Sequence, residues 1–155
     1  MLRAVLVVPI FFFSSAAHGQ DADQAELLRL HNVIIQAHKN GDLEAWMVVE
    51  ADTVFASNGG EIEWLSASER RPGREAYLVR STFDVYEDAS APVVTVSRDG
   101  TLGWVLAEVE VRGWAARQDG AIEDFATMYS WIETWKKQEG KWLLTGTVSN
   151  SRSLD

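Results

Sequence analysis

Three strand-like stretches in series, Thr101–Ala116, Ala121–Lys137 and Lys141–Asn150, constrain this chain most. Each is long for a strand, and the last two are joined by Gln138-Glu139-Gly140, a turn too short for anything but an antiparallel hairpin. Large rings recur at even spacing along the middle stretch: Phe125, Tyr129, Trp131 and Trp135. Strand residues two apart share a face. Phe125, Thr127, Tyr129, Trp131, Glu133 and Trp135 therefore line one side of it. A carboxylate between two indoles on one strand face marks a pocket, not a plain core.

The preceding stretch is harder to orient. Val105, Ala107, Val109 and Val111 make one uniformly apolar face, and Trp104, Leu106, Glu108, Glu110 and Arg112 make the other. Alternation buries one face only, and the apolar face is the natural inner one. That choice leaves Glu108 and Glu110 in solvent or at an interface.

The N-terminal half is helical. Leu27, Leu30, Ile34 and Ala37 form an apolar stripe over Asp21–Asn40. Gly41 ends that helix, and Asp42 caps a short second one running to Glu50. Thr53–Ser57 and Glu61–Leu65 flank Asn58-Gly59-Gly60 as a hairpin. Ser66–Arg71 reads as loop, Pro72 opens a third helix to about Asp88, and Ala91–Ser97 is a strand. Helices segregated from a run of meandering strands predict an α+β domain, with three helices packed on one face of a curved antiparallel sheet.

Residues 1–19 have the pattern of a secretory signal peptide: Arg3, the apolar run Ala4–Phe13, then small residues at Ala17 and Gly19. Cleavage after Gly19 would leave 20–155 as a single exported domain, periplasmic or secreted. The formal net charge of −9 argues against nucleic acid and anionic membrane surfaces as partners. The absence of cysteine excludes disulfides and thiol chemistry.

Several short pieces, in this order, resemble the nuclear transport factor 2-like superfamily, in its SnoaL-like and DUF4440-type branch. They are Asn40-Gly41-Asp42, Ala51-Asp52-Thr53-Val54-Phe55, Gly73-Arg74-Glu75-Ala76 and Trp135-Lys136-Lys137-Gln138-Glu139-Gly140-Lys141-Trp142. The resemblance implies a cone-shaped α+β barrel of the cystatin-like kind, with a deep pocket between sheet and helices. It also implies homodimers through the outer sheet face. The superfamily spans isomerases, cyclases, dehydratases and non-catalytic binding domains, so the fold does not select an activity. Where relatives carry a basic residue two positions before the closing-turn tryptophan, this chain has Glu133. Where relatives have histidines in the last strand, it has Thr145, Gly146, Thr147 and Val148.

The resemblance, against the alternation, turns the Glu108/Glu110 face of Thr101–Ala116 toward the pocket, and the two readings stay open. The candidate ligand-binding residues are Glu133, Tyr129, Trp131, Glu110, Glu108, Tyr77 and Trp46. The expected ligand is a small apolar or aromatic molecule, with Glu133 as its polar anchor and no cofactor. Glu133 and Glu110 are also the candidate catalytic residues, since two inward carboxylates could divide acid and base roles. Desolvation among indoles would suit Glu133 to proton transfer. Tyr77 and Tyr129 could each place a phenol donor in the cavity. His31 and His38 share a helix face but stand about 10.5 Å apart along its axis. That is too far for one metal, whose bonds to nitrogen are about 2 Å, and both are read as boundary residues.

Overall fold

The computed structural model describes residues 15–154, with side chains from 19 onward. The expected leader therefore lies outside the described residues, apart from 15–19. Three helices, α1 (Ser15–Asn40), α2 (Leu43–Val48) and α3 (Ala67–Arg80), pack on a seven-stranded sheet. Its strands are β1 (Glu50–Asn58), β2 (Glu61–Ser66), β3 (Ser81–Asp88), β4 (Val93–Val96), β5 (Leu102–Ala116), β6 (Ile122–Gln138) and β7 (Lys141–Ser153). The order across the sheet is β2-β1-β7-β6-β5-β3, and β4 pairs with β5 beyond the end of β3. The sheet is curved and unclosed, and the whole is the expected α+β cone. Every pair is antiparallel except β1 with β7. Register shifts interrupt the ladders near Thr134 and Trp135, near Phe83 and Val85, and between Glu50 and Phe55. Such bulges bend a strand and increase its twist.

The inner face of β5 carries Val105, Ala107, Val109 and Val111, all buried. The α1 stripe packs there: Leu27, Leu30 and Ile34 share a cluster with Val105, Trp135 and Trp142, while Ile35 joins Ala107, Val109 and Tyr86. Gly103 permits the close approach, because a Cβ there would lie 2.5 Å from the Leu27 side chain. Asp23 then ties α1 to the closing hairpin, accepting from the Trp142 indole at 2.9 Å and from Lys137. Truncating a fully buried leucine such as Leu27 to alanine costs about 2–5 kcal/mol.

Two elements differ from the sequence expectation. Helix α3 begins at Ala67, not at Pro72, because Glu69 reaches back to the Ser66 backbone N–H at 2.8 Å and closes the first turn. Pro72 sits inside the helix. The helix also ends at Arg80, and Ser81–Asp88 is strand β3. Phe83 and Tyr86 fit helical spacing, but the β-branched and aromatic run Thr82, Phe83, Val85, Tyr86 finds a ladder partner in Val109–Ala115.

The outer sheet face is apolar in a band across its width. Cross-strand pairing places Val93, Leu106, Ile132 and Val148 in one row, continued through Ser57 to Ile62. The next row holds Trp104, Thr134, Gly146, Phe55 and Trp64. Val93, Leu106, Ile132, Val148, Ile62, Trp104 and Trp64 are all exposed. Gly146 shapes this surface: a Cβ there would lie 2.1 Å from the Phe55 ring, so only glycine lets Phe55 cross β7 and meet Trp64 at 5.1 Å.

Candidate functional site

Between the sheet and the helices lies a cavity of about 520 Å³. This falls within the range of small-molecule sites, about 300–1,000 Å³. Its aromatic walls come from four elements: Trp46 on α2, Tyr77 on α3, Tyr86 on β3, and Tyr129 and Trp131 on β6. Of the candidate residues, Trp46, Tyr77, Tyr129, Trp131 and Glu133 line this cavity together. Glu108 and Glu110 are not among the lining residues. Their alternation with Val105, Ala107, Val109 and Val111 turns them outward, where Glu110 pairs with Arg112 at 2.5 Å and Glu108 lies near Ser90. The proposed pairing of Glu110 with Glu133 therefore does not occur.

Glu133 is 1% exposed, yet it is not an isolated acid among rings. Its Oε1 lies 2.7 Å from His31 Nδ1 and accepts from the Trp131 indole at 3.2 Å. Its Oε2 accepts from the Trp135 indole at 3.2 Å. The other imidazole nitrogen of His31 lies 3.0 Å from Asp88 on β3. An imidazole can donate from both nitrogens only when protonated. Burial pulls the His31 pKa down, but the bonds and charges of Glu133 and Asp88 outweigh it and raise the value to about 9. His31 is thus a buried imidazolium between two carboxylates, not a boundary residue. Asp88, whose side chain is 29% exposed, is the outer end of this row.

His38 takes the opposite state. It lines the cavity, and its Nδ1 bonds the Ile34 carbonyl at 2.8 Å, which fixes that nitrogen as the donor. Its ring lies 3.9 Å from Trp46 and stacks on Tyr86 at 4.7 Å. Burial, with a smaller contribution from the Arg74 charge, lowers its pKa to about 4. The imidazole is neutral near pH 7, and its Nε2 is an unprotonated lone-pair acceptor. Burial also raises the phenols of Tyr77 and Tyr86, which keeps both as donors.

The third polar group is a buried cluster of Glu50, Arg70 and Arg74. The Glu50 side chain is fully buried at the start of β1. Arg70 Nε donates to Glu50 Oε2 at 3.1 Å, and its terminal nitrogens reach the carbonyls of Ala51, Asp52 and Leu65. Arg70 therefore clamps α3 onto the β1–β2 hairpin. Arg74 Nη2 forms an ion pair with Glu50 Oε1 at 2.6 Å. Its guanidinium carbon lies 3.9 Å from the Trp46 ring centre. Burial raises the Glu50 pKa, and Arg74 and Arg70 oppose that.

Sequence reasoning missed Glu50, Arg70, Arg74, Tyr86, Asp88 and the placement of His38. The register of α3 held the only available signal, since Arg70, Arg74 and Tyr77 fall at i, i+4 and i+7 on one face once the helix starts at Ala67. Among the described residues, no cluster of three or more histidines or carboxylates has the arrangement to hold a metal ion.

No family model matches this chain, and no curated protein matches it. Solved structures do share its fold. It is similar to a ketosteroid isomerase-like protein of Erwinia carotovora atroseptica, at 15% identity and TM-score 0.67, over 84% of this chain and 97% of the other. An NTF2-like protein of Cytophaga hutchinsonii matches at 14% identity and TM-score 0.66, over 83% and 97% of the two chains. A conserved protein of Planctomyces limnophilus matches at 10% identity and TM-score 0.69, over 87% and 100%. At such identities the likeness is one of fold, and the fold is NTF2-like.

Proposed function

We propose that this chain is an exported NTF2-like domain, of the SnoaL-like and DUF4440-type branch, that holds a small, flat, largely apolar molecule in its cone. The carrying observation is the cavity of about 520 Å³ walled by Trp46, Tyr77, Tyr86, Tyr129 and Trp131. Export rests on the leader-like pattern of residues 1–19. The anchor differs from the one first expected. Glu133 already accepts from two indoles and pairs with His31, so its role is to fix Trp131 as a wall. His38 and Arg74 line the cavity beside the tyrosine hydroxyls and are polar groups a ligand could meet there. Native mass spectrometry of protein purified from its own host tests the reading: a retained small molecule supports it. The reading fails if flat aromatic probes leave the NMR signals of Trp46, Tyr77 and Trp131 unmoved.

A second reading, proton transfer without a cofactor, is favoured by one observation. His38 lines the cavity as a neutral imidazole with an unprotonated Nε2, so it is in the form that can accept a proton. The ketosteroid isomerase-like neighbour agrees in fold with this reading and goes no further. Exchange of a bound ligand's C–H hydrogens in heavy water, lost in His38→Gln, would distinguish an enzyme from a carrier.

The exposed apolar band supports a homodimer formed through the outer sheet face. Val93, Leu106, Ile132 and Val148 in one row form a continuous surface of the kind that marks interfaces.

A further inference from the structure

The Glu50 cluster holds more positive charge than its carboxylate balances. Arg70 spends its guanidinium on Glu50 and on three backbone carbonyls, so every one of its nitrogens is engaged. Arg74 shares the same Glu50 carboxylate through Nη2 alone. Its Nη1 is buried and has no hydrogen-bond partner. A buried donor without a partner carries a desolvation cost that a ligand acceptor would relieve. Arg74 also lines the cavity, with its guanidinium against the Trp46 face.

The nearby acids do not cancel this group. Glu69 lines the same region, but its carboxylate bonds the Ser66 N–H and hydroxyl at the exposed start of α3. Glu133 stands with His31 and two indole donors. Burial lowers the Arg74 pKa, and the neighbouring Arg70 charge adds to that while Glu50 opposes it. The guanidinium is under-compensated where it stands.

We propose that Arg74 forms an anion subsite at one end of the cavity, and that the natural ligand is a flat aromatic molecule bearing a carboxylate. The inference rests on the cavity reading above. The ring system lies among Trp46, Tyr77 and Trp131, and the carboxylate pairs with the cavity-lining Arg74 guanidinium, whose buried Nη1 lacks a partner. A planar guanidinium fork suits a planar carboxylate, and charge-assisted bonds of this kind are about twice as strong as neutral ones.

Calorimetry with 2-naphthoate and its neutral isostere 2-naphthamide tests this, with protein NMR reporting where each probe sits. The intact chain is expected to bind naphthoate roughly ten-fold more tightly than naphthamide. Arg74→Gln is expected to abolish that preference, so that naphthoate and naphthamide bind the variant equally. If breaking the Glu50 pair unfolds Arg74→Gln, Arg74→Lys keeps a charge for Glu50 without the fork, and is expected to lose most of the preference. Equal binding of both probes overturns the subsite and leaves the cavity reading standing. A naphthoate preference that survives in both variants also overturns the subsite. If neither probe binds, the subsite and the cavity reading fall together.

Discussion

His31 and Glu133 stand 102 residues apart in the chain and 2.7 Å apart in the fold. One is on α1 and the other on β6, and both are buried. Their contact fixes the depth at which the helix lies across the sheet. Asp88 meets the other side of the ring, so three elements converge on one imidazole.

Removing the carboxylate should expose the strength of that contact. Glu133→Gln leaves the imidazolium with Asp88 alone. Breaking a buried pair from one side costs about 3–5 kcal/mol, and urea denaturation should show a loss of that order. The His31 pKa, followed by NMR, should fall from about 9 toward 6.5. An unmoved titration would mean that Glu133 does not hold the charge on His31.

Stability should decline on the alkaline side. The folded pKa of His31 is raised from 6.5 to about 9. Its contribution is therefore fully present below pH 6.5 and is lost as pH rises through about 9. The shift corresponds to about 3 kcal/mol. Chemical denaturation across that window should show the decline in the wild type and not in His31→Gln. Parallel slopes in the two proteins would refute the assignment.

The same helix should impose an acid limit. His38 is lowered from 6.5 to about 4. Its contribution is full above pH 6.5 and is lost as pH falls toward 4, because the unfolded chain gains a proton that the folded one refuses. His38→Gln should flatten that limb alone. With both histidines intact, these two contributions place the stability maximum near pH 6.5.

Gly146→Ala should be destabilising out of proportion to one methyl group. The new Cβ meets the Phe55 ring at 2.1 Å, and overpacking of this kind costs about 1–3 kcal/mol. Phe55→Ala should remove most of that penalty. A double-mutant cycle that shows simple additivity would disprove the steric account.

The outer band makes a prediction about assembly. Sedimentation should find a dimer, and Ile132→Lys, at the centre of the Val93–Val148 row, should give a monomer with unchanged circular dichroism. A wild type that sediments as a monomer at high concentration would exclude the dimer.

Much of this architecture was legible because alternation is a local signal. The period-two pattern of β6 puts Tyr129, Trp131 and Glu133 on one shared face before any contact is known. The same pattern on β5 separates Glu108 and Glu110 from the valine face, but the resemblance turns their face toward the pocket. Only the packing of α1 on Val105, Ala107, Val109 and Val111 decides between the two. Ser81–Asp88 was misread because Val79, Phe83 and Tyr86 satisfy helical spacing as well as a strand does, and only the pairing with β5 decides between them. The partners of Glu133 were not legible at all. Nothing near residue 133 encodes that an imidazole on α1 and a carboxylate on β3 will meet there. Arg70 and Arg74 were hidden for a related reason: their face of α3 depends on where the helix starts, and Glu69 sets that start through a bond to Ser66.

The parallel pairing of β1 with β7 has a consequence for how this molecule is made. Among the described residues, the β1–β2 hairpin has no neighbour in the sheet other than β7, and residues 141–153 are the last to be synthesised of those that complete it. Until they leave the ribosome, Glu50, Arg70 and the hairpin they brace have no wall to join. The nascent domain therefore emerges with its hollow open along one side, and its aromatic lining is briefly offered to chaperones and to whatever else will cover it.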